Sequence, residues 1–498
     1  AGPPGPCGNA TGFIVNGGTL DLGGFDLVAP SLTGSGGTVA LGASTLTVKA
    51  AAAQSSGGSI AGSGGLTKAG AGTLTLTGAS SYTGATTISG GRLALDFTGA
   101  GGPASDIISS ASHLVLSGGA LDVLGAAGEA NNQGFDGLTV SAGSNTLRAV
   151  NGAGGTMNVS LGAINRTGGL VNFVLPGAGA ITTSNLDGVL GGWATINGSD
   201  YAKVVGGNIV AFDASDYTDK DDAGTWANGE IVSDAAGTAN SPFFGTVGGD
   251  VTLGGLRYSA AAGSTVTVGA GNRLGVEGTI IVAPSVGAAN QAINGGELTS
   301  GVAGGALGIQ HNGGGIFTIG SAIVDGGGVT SFAKGGAGRV VLSGANSYTG
   351  ATTLTEGVLQ ISSIGDGGVA SGIGASSADS SNLVLESGTL QYNGGTTSSD
   401  RGFTLVNGGP ARTIDVAAAG TDLSFSGVVT SSDDAGFTKA GAGTLTLANA
   451  ANDYVGVTTI AGGTLAIGTL TDGGNASGIG AASNASENLV LTTGGQLR

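Results

Sequence analysis

Leucine, isoleucine and valine alternate with threonine and serine in short stretches along the whole chain. Residues 73–77 read Thr-Leu-Thr-Leu-Thr, residues 45–48 Thr-Leu-Thr-Val and residues 93–95 Leu-Ala-Leu. A period of two places the apolar side chains on one face of a β-strand and the hydroxyls on the other. Pairs of glycines, such as Gly17-Gly18, Gly90-Gly91, Gly118-Gly119 and Gly462-Gly463, break the runs. Glycine reaches the positive φ values that sharp corners need. No apolar pattern of helical period intervenes, so neither helices nor helical crossovers are expected. Strand after strand with one apolar face calls for a fold in which each strand lies on the next.

Longer self-similarity says how the strands are grouped. Residues 66–95 read LTKAGAGTLTLTGASSYTGATTISGGRLAL, residues 332–361 FAKGGAGRVVLSGANSYTGATTLTEGVLQI, and residues 437–467 FTKAGAGTLTLANAANDYVGVTTIAGGTLAI. Lys68, Lys334 and Lys439 align, as do Tyr82, Tyr348 and Tyr454. The last two copies share their sequel as well: Ala370-Ser371-Gly372-Ile373-Gly374 returns as Ala476-Ser477-Gly478-Ile479-Gly480, and Asn382-Leu383-Val384-Leu385 as Asn488-Leu489-Val490-Leu491. Tandem units of short strands predict an elongated parallel β-solenoid, in which inward Leu, Val and Ile stack from turn to turn. A β-propeller is the competing architecture, but the units are unequal in length and lack an aromatic signature per blade.

These three blocks resemble the autotransporter-associated β-strand repeat of type V secreted passenger domains. The segment Leu190-Gly191-Gly192-Trp193-Ala194-Thr195-Ile196-Asn197 is similar to a recurrent element of the same passengers. The resemblance implies an all-β, right-handed, single-stranded parallel β-helix. It also implies display on the surface of a Gram-negative bacterium or release from it, with an outer-membrane β-barrel outside this segment. The role implied is adhesion, by a rigid stalk that attaches to surface glycans, matrix or other cells or associates with its own copies. A structural scaffold or filament is the alternative, and a polysaccharide-acting β-helix enzyme a third reading.

Composition narrows the partners. Fifteen Lys and Arg face 32 Asp and Glu, a net charge of −17, which repels nucleic acid and anionic membrane surfaces. No apolar run is long enough for a membrane-spanning helix, so this segment is expected not to insert into a bilayer. A single cysteine, Cys7, rules out an internal disulfide framework. The divisions expected are a Gly/Pro segment over 1–12, β-helix with the first repeat over 13–184, an acidic and aromatic excursion or wider rungs over 185–245, and β-helix with the other two repeats over 246–498.

Candidate chemistry concentrates in 185–245. Trp193, Tyr201, Tyr217 and Trp226 are the candidate binding aromatics, on the view that a rigid scaffold displays its ligands' contacts on loops. They would equally fill a wider rung or a local cap. Asp219-Lys220-Asp221-Asp222-Ala223-Gly224 followed by Glu230 approximates a calcium loop, so Asp219, Asp221 and Glu230 are candidate Ca²⁺ ligands. Ala223 removes one donor and no flanking helices are expected. No other cofactor is expected. Catalysis finds little footing: His113 and His311 lack recognisable triad partners, and the paired carboxylates Asp221-Asp222 and Asp433-Asp434 would point to opposite faces of a strand.

Overall fold

The computed structural model of the chain describes residues 12–50, 53–70, 72–99, 102–234, 241–406, 412–431, 435–492 and 494–498. Cys7 and the Asp433-Asp434 pair lie outside the described residues. Within them the backbone is a succession of short strands joined by turns, with brief 3₁₀ turns and no α-helix. Strands of successive turns pair in parallel, so the chain forms the expected all-β parallel solenoid, of about 17 turns. It divides into two compact units. One holds the residues up to Thr167 together with Val174–Asp187 and Val204–Ile209; the other holds Gly168–Phe173, Gly188–Lys203 and Val210–Arg498.

In the first unit a seven-stranded parallel sheet stacks Leu27–Ala29, Leu46–Lys49, Leu66–Ala69, Thr86–Ile88, His113–Ser117, Gly137–Ala142 and Ala163–Arg166. Its register aligns Leu27, Leu46, Leu66, Thr86, Leu114, Leu138 and Ile164 in one inward column. Each buried Leu or Ile in such a column contributes about 1.5–3 kcal/mol by leaving water. The intervening hydroxyls face outward, which is why Thr73–Leu76 reads half-buried, buried, half-buried, buried. On the outer face the Asp122 carboxylate accepts from Arg92 (2.5 Å) on the preceding turn and from Arg148 (2.5 Å) on the following one. Both arginines are partly exposed, but the carboxylate they share is buried, so the clamp pairs a charge that would be costly to leave alone there.

The second unit repeats the scheme. A ten-stranded parallel sheet runs from Thr218–Asp219 to Val429–Ser431. Its inward column is Val232, Leu256, Ile280, Ile309, Lys334, Leu354, Leu385 and Leu405. A file of rings fills the interior of the first turns: Trp226 meets Phe243 edge-on at 5.2 Å, Phe243 meets Tyr258 at 5.0 Å, and Tyr258 meets Phe317 at 5.3 Å. Edge-to-face rings gain beyond their buried area. Trp226 therefore belongs to the interior of the unit. One member of the inward column, Lys334, carries an amine, whose pKa burial pushes down to about 7, and its counterparts explain the repeats.

Candidate functional site

Each repeat copy buries its lysine in an inward column. Lys68 pairs with Val48 and Ile88, Lys334 with Ile309 and Leu354, and Lys439 with Ile414 and Ile460. The stem packs as an aliphatic residue would, and the ammonium turns into the corner that follows. Lys334 Nζ donates to the carbonyls of Gly335 (2.9 Å), Gly336 (2.6 Å) and, one turn on, Glu356 (3.0 Å). Lys439 Nζ repeats this with Ala440 (2.6 Å), Gly441 (3.0 Å) and Gly462 (3.0 Å), and Lys68 with Ala69, Gly70 and Gly90. Three protons meet three carbonyls, which satisfies both the buried charge and the buried corner. The corner needs glycine: φ is +76° at Gly70, +74° at Gly336 and +77° at Gly441. A Cβ at Gly336 would also stand 2.4 Å from the His311 carbonyl oxygen. The repeat's tyrosine closes the opposite side of the turn. Tyr82, Tyr348 and Tyr454 are fully buried and bond the threonine four residues on, at 2.7, 2.6 and 2.8 Å.

Both histidines are engaged in the scaffold. His113 Nε2 bonds the Thr139 hydroxyl (2.8 Å) on the next turn. His311 is buried; its Nδ1 accepts from the Gly313 N–H (3.1 Å) and its Nε2–H donates to the Gly315 carbonyl (3.1 Å). That pattern requires the neutral ring. Burial, with the Lys334 charge nearby, pushes the His311 pKa down to about 4. The unfolded chain, with a His near 6.5, then binds more protons than the folded one between those values. Stability supplied by His311 is thus complete above pH 6.5 and lost as pH falls toward 4, by about 2–3 kcal/mol. Melting temperature measured against pH should fall more steeply over this window in the parent chain than in His311→Asn.

Part of the 185–245 stretch, residues 195–203 and 210–217, acts as a cover over the wall of the second unit. Within the second unit, Asn197-Gly198, both at positive φ, turn a hairpin that pairs Thr195 with Tyr201 and Ile196 with Asp200. The hairpin delivers Tyr201 onto the outer face of the ten-stranded sheet. There its hydroxyl accepts from Leu256 N–H (2.7 Å) and donates to Thr279 O (2.5 Å). Phe212 and Tyr217 close around it, with ring centroids 5.9 and 6.2 Å away, and the three cover the outward Ile281. Arg257 stacks over Tyr217 at 5.1 Å, donates Nε–H to Ser199 O (2.9 Å) and pairs with Asp200 (3.1 Å). This second core explains why all four residues of Thr279–Val282 are buried.

Three of the four candidate binding aromatics are consequently placed inside. Tyr201, Tyr217 and Trp226 are 0, 7 and 6% exposed, and Trp193 is half-buried. Trp226 also donates its indole N–H to Lys220 O (3.1 Å). None of the three buried rings presents a face to solvent. The acidic run is largely spent on local bonds. Asp213 and Asp216 grip Lys203 (3.0 and 2.5 Å), and Asp222 caps the turn at Gly224. Of the candidate Ca²⁺ ligands, Glu230 gives one oxygen to Lys220 (2.5 Å) and the other to Ala227 N–H (2.9 Å). Asp219 lies on the strand beside Ser233, and Asp221 Oδ1 is buried with no hydrogen-bond partner among the described residues. Burial and the charges of Asp219 and Asp234 push the Asp221 pKa up. Among the described residues no three His, Cys, Asp or Glu side chains converge as a metal-binding group. Lys220 lies within the EF-hand-like spacing, and among the described residues no α-helix frames the loop.

Comparison with known proteins agrees with the repeat anatomy. A family model, the passenger-associated-transport-repeat, matches residues 66–95, 332–361 and 437–467, the three blocks with the buried lysine. The chain is 56% identical over 480 residues to the Adhesin BmaC autotransporter of Brucella suis biovar 1 (strain 1330), a match covering 96% of this chain and 14% of that protein. It therefore spans about one seventh of the length of that relative. No solved structure matches the chain.

Proposed function

This chain belongs to the autotransporter passengers of Gram-negative cell surfaces, and on that footing we propose that it is a non-enzymatic stalk segment of an adhesin, holding contact surfaces away from the envelope. The observation that carries the reading is the identity, sustained over nearly the whole chain, to a passenger that is itself an adhesin. The geometry is consistent with it. A solenoid whose turns are tied by carbonyl-bound lysines and buried tyrosines resists shear between turns, as a stalk must. Both histidines and most of the acidic run are committed to bonds that hold the scaffold, which supports a mechanical role over a catalytic one. The partners would be surface glycans, matrix or other cells, met through weak contacts repeated on many displayed copies.

The test is direct. Beads coated with the purified chain should be retained on cell layers or matrix-coated surfaces several-fold better than beads coated with an unrelated β-solenoid of equal charge. The same preparation should release no reducing ends from matrix polysaccharides. Equal retention of the two bead types would remove the adhesive reading, and measurable turnover would remove the non-enzymatic one.

A further inference from the structure

The residue beneath the lysine corner differs among the three repeats. In each copy the glycine two positions past the lysine turns at positive φ, and the N–H two residues further on donates to the preceding turn. Gly72 donates to Ala50 O (2.6 Å), Gly338 to His311 O (2.8 Å) and Gly443 to Val416 O (2.9 Å). These acceptors lie two residues beyond Val48, Ile309 and Ile414, the register partners of Lys68, Lys334 and Lys439. The seat is tight: a Cβ at Gly338 would stand 2.7 Å from His311 Cγ, and one at Gly443 2.6 Å from Val416 Cγ1. Two copies fill it with an apolar side chain and the middle copy with an imidazole.

The imidazole fits this seat only without its second proton. Nδ1 is the acceptor for Gly313 N–H (3.1 Å), so a proton there would set donor against donor and strand that N–H. On the preceding turn the ring's strand pairs through Val282, and Gly287 O accepts from Gly314 N–H (2.6 Å). Its own loop supplies Gly313–Gly315 and the Phe317 ring at 6.3 Å. The following turn supplies Gly336, Gly338 and Lys334, whose charge acts on the ring. Glu356, which acts on Lys334, is exposed. His311 and Lys334 thus meet in a buried corner where both bond to main-chain groups. A second cation beside the first is relieved there only when water reaches the ring. What closes over the ring is mostly glycine, which brings no side-chain packing to resist opening.

We propose that the His311 corner is an acid-operated joint: protonation of the ring releases the Gly336–Gly338 corner and its lysine cage, while the corners of Lys68 and Lys439 stay closed. Ring and cage share that corner. Gly338 N–H rests on the His311 carbonyl, and Gly336 O accepts from Lys334 Nζ (2.6 Å), so neither moves alone. A solenoid with one such corner gives way at one turn in an acidic compartment and keeps its register elsewhere. The joint is independent of whether the stalk is adhesive.

Hydrogen exchange of the whole chain at about pH 7 and about pH 4.5, with each amide scaled to its intrinsic rate, is the test. A ring that titrates near 6.5 in the open corner and near 4 in the closed one should lower protection in Ala306–His311, Ser331–Gly335 and Arg339–Leu342 about thirtyfold to a hundredfold. Leu66–Ala69 and Phe437–Ala440 should change less than about threefold. His311→Val puts the residue of the third copy in the seat and should hold the acid loss under about threefold, with neutral protection unchanged. Should that variant fail to fold, ring-nitrogen NMR of the parent chain decides: His311 should stay the neutral Nε2–H tautomer until the pH at which those amides lose protection. Protection kept at the lower pH, equal loss at all three corners, an undiminished loss in His311→Val, or a ring that takes its proton while the amides stay protected would each overturn the joint.

Discussion

Replacing Lys334 by methionine is expected to destabilise the turns on either side by about 3–5 kcal/mol. Methionine keeps the aliphatic stem in the inward column, so packing changes little. What is lost is the ammonium that serves Gly335, Gly336 and Glu356 at once. Each buried carbonyl left without a donor costs about 1–3 kcal/mol, and no water can replace the donor unless the corner opens. Lys334→Arg should fare little better, because a planar fork cannot converge three donors on one point. A solenoid is held by neighbour-to-neighbour contacts, so the damage should stay local. Hydrogen exchange should show protection lost in Ala306–His311, Ser331–Gly335 and Thr352–Leu354, with distant turns unchanged. Lys68→Met and Lys439→Met should act in the same way in their own turns. A loss under about 1 kcal/mol would mean that the ammonium is incidental to the corner.

Much of this is legible in the sequence. Alternation in Thr73–Leu76 and its copy Thr444–Leu447 fixes which side chains point inward, and the structure buries those leucines. The tandem blocks announce stacking. The alignment of Lys68, Lys334 and Lys439 is plain in the sequence, yet its meaning is not, because a lysine at an inward position contradicts the pattern that predicts the strand. The clue is the glycine two residues on, whose positive φ aims carbonyls back at the ammonium. The aromatic excursion shows the opposite limit. Its composition marks 185–245 as unlike the rest, but the partner of Tyr201 lies 55 and 78 residues away, at Leu256 and Thr279. One local signal existed: Thr279-Ile280-Ile281-Val282 is apolar on both faces, which a wall strand needs only when something covers its outside. The pairing of Lys220 with Glu230 is likewise invisible to a motif, which counts donors at fixed spacing and ignores a cation between them.

That hidden outer core leads to the second large effect. Tyr201→Ala should cost the second unit about 3–5 kcal/mol, as for other large-to-small replacements of buried aromatics, and Tyr201→Phe about 1–3 kcal/mol for the hydroxyl alone. The hydroxyl bridges adjacent strands at Leu256 and Thr279, and the ring sits so close to the wall that a Cβ at Gly255 would lie 2.6 Å from its Cζ. Gly255→Ala should therefore imitate Tyr201→Ala by pushing the ring out, although it deletes nothing. In each variant the hairpin over Ile281 loosens while the inward column beneath survives. Limited proteolysis should then cut the chain between Ile196 and Tyr217 before the strands of the wall yield. If the hairpin stays protected in both variants, the cover is held by its backbone bond from Thr279 N–H to Gly192 O and not by the tyrosine.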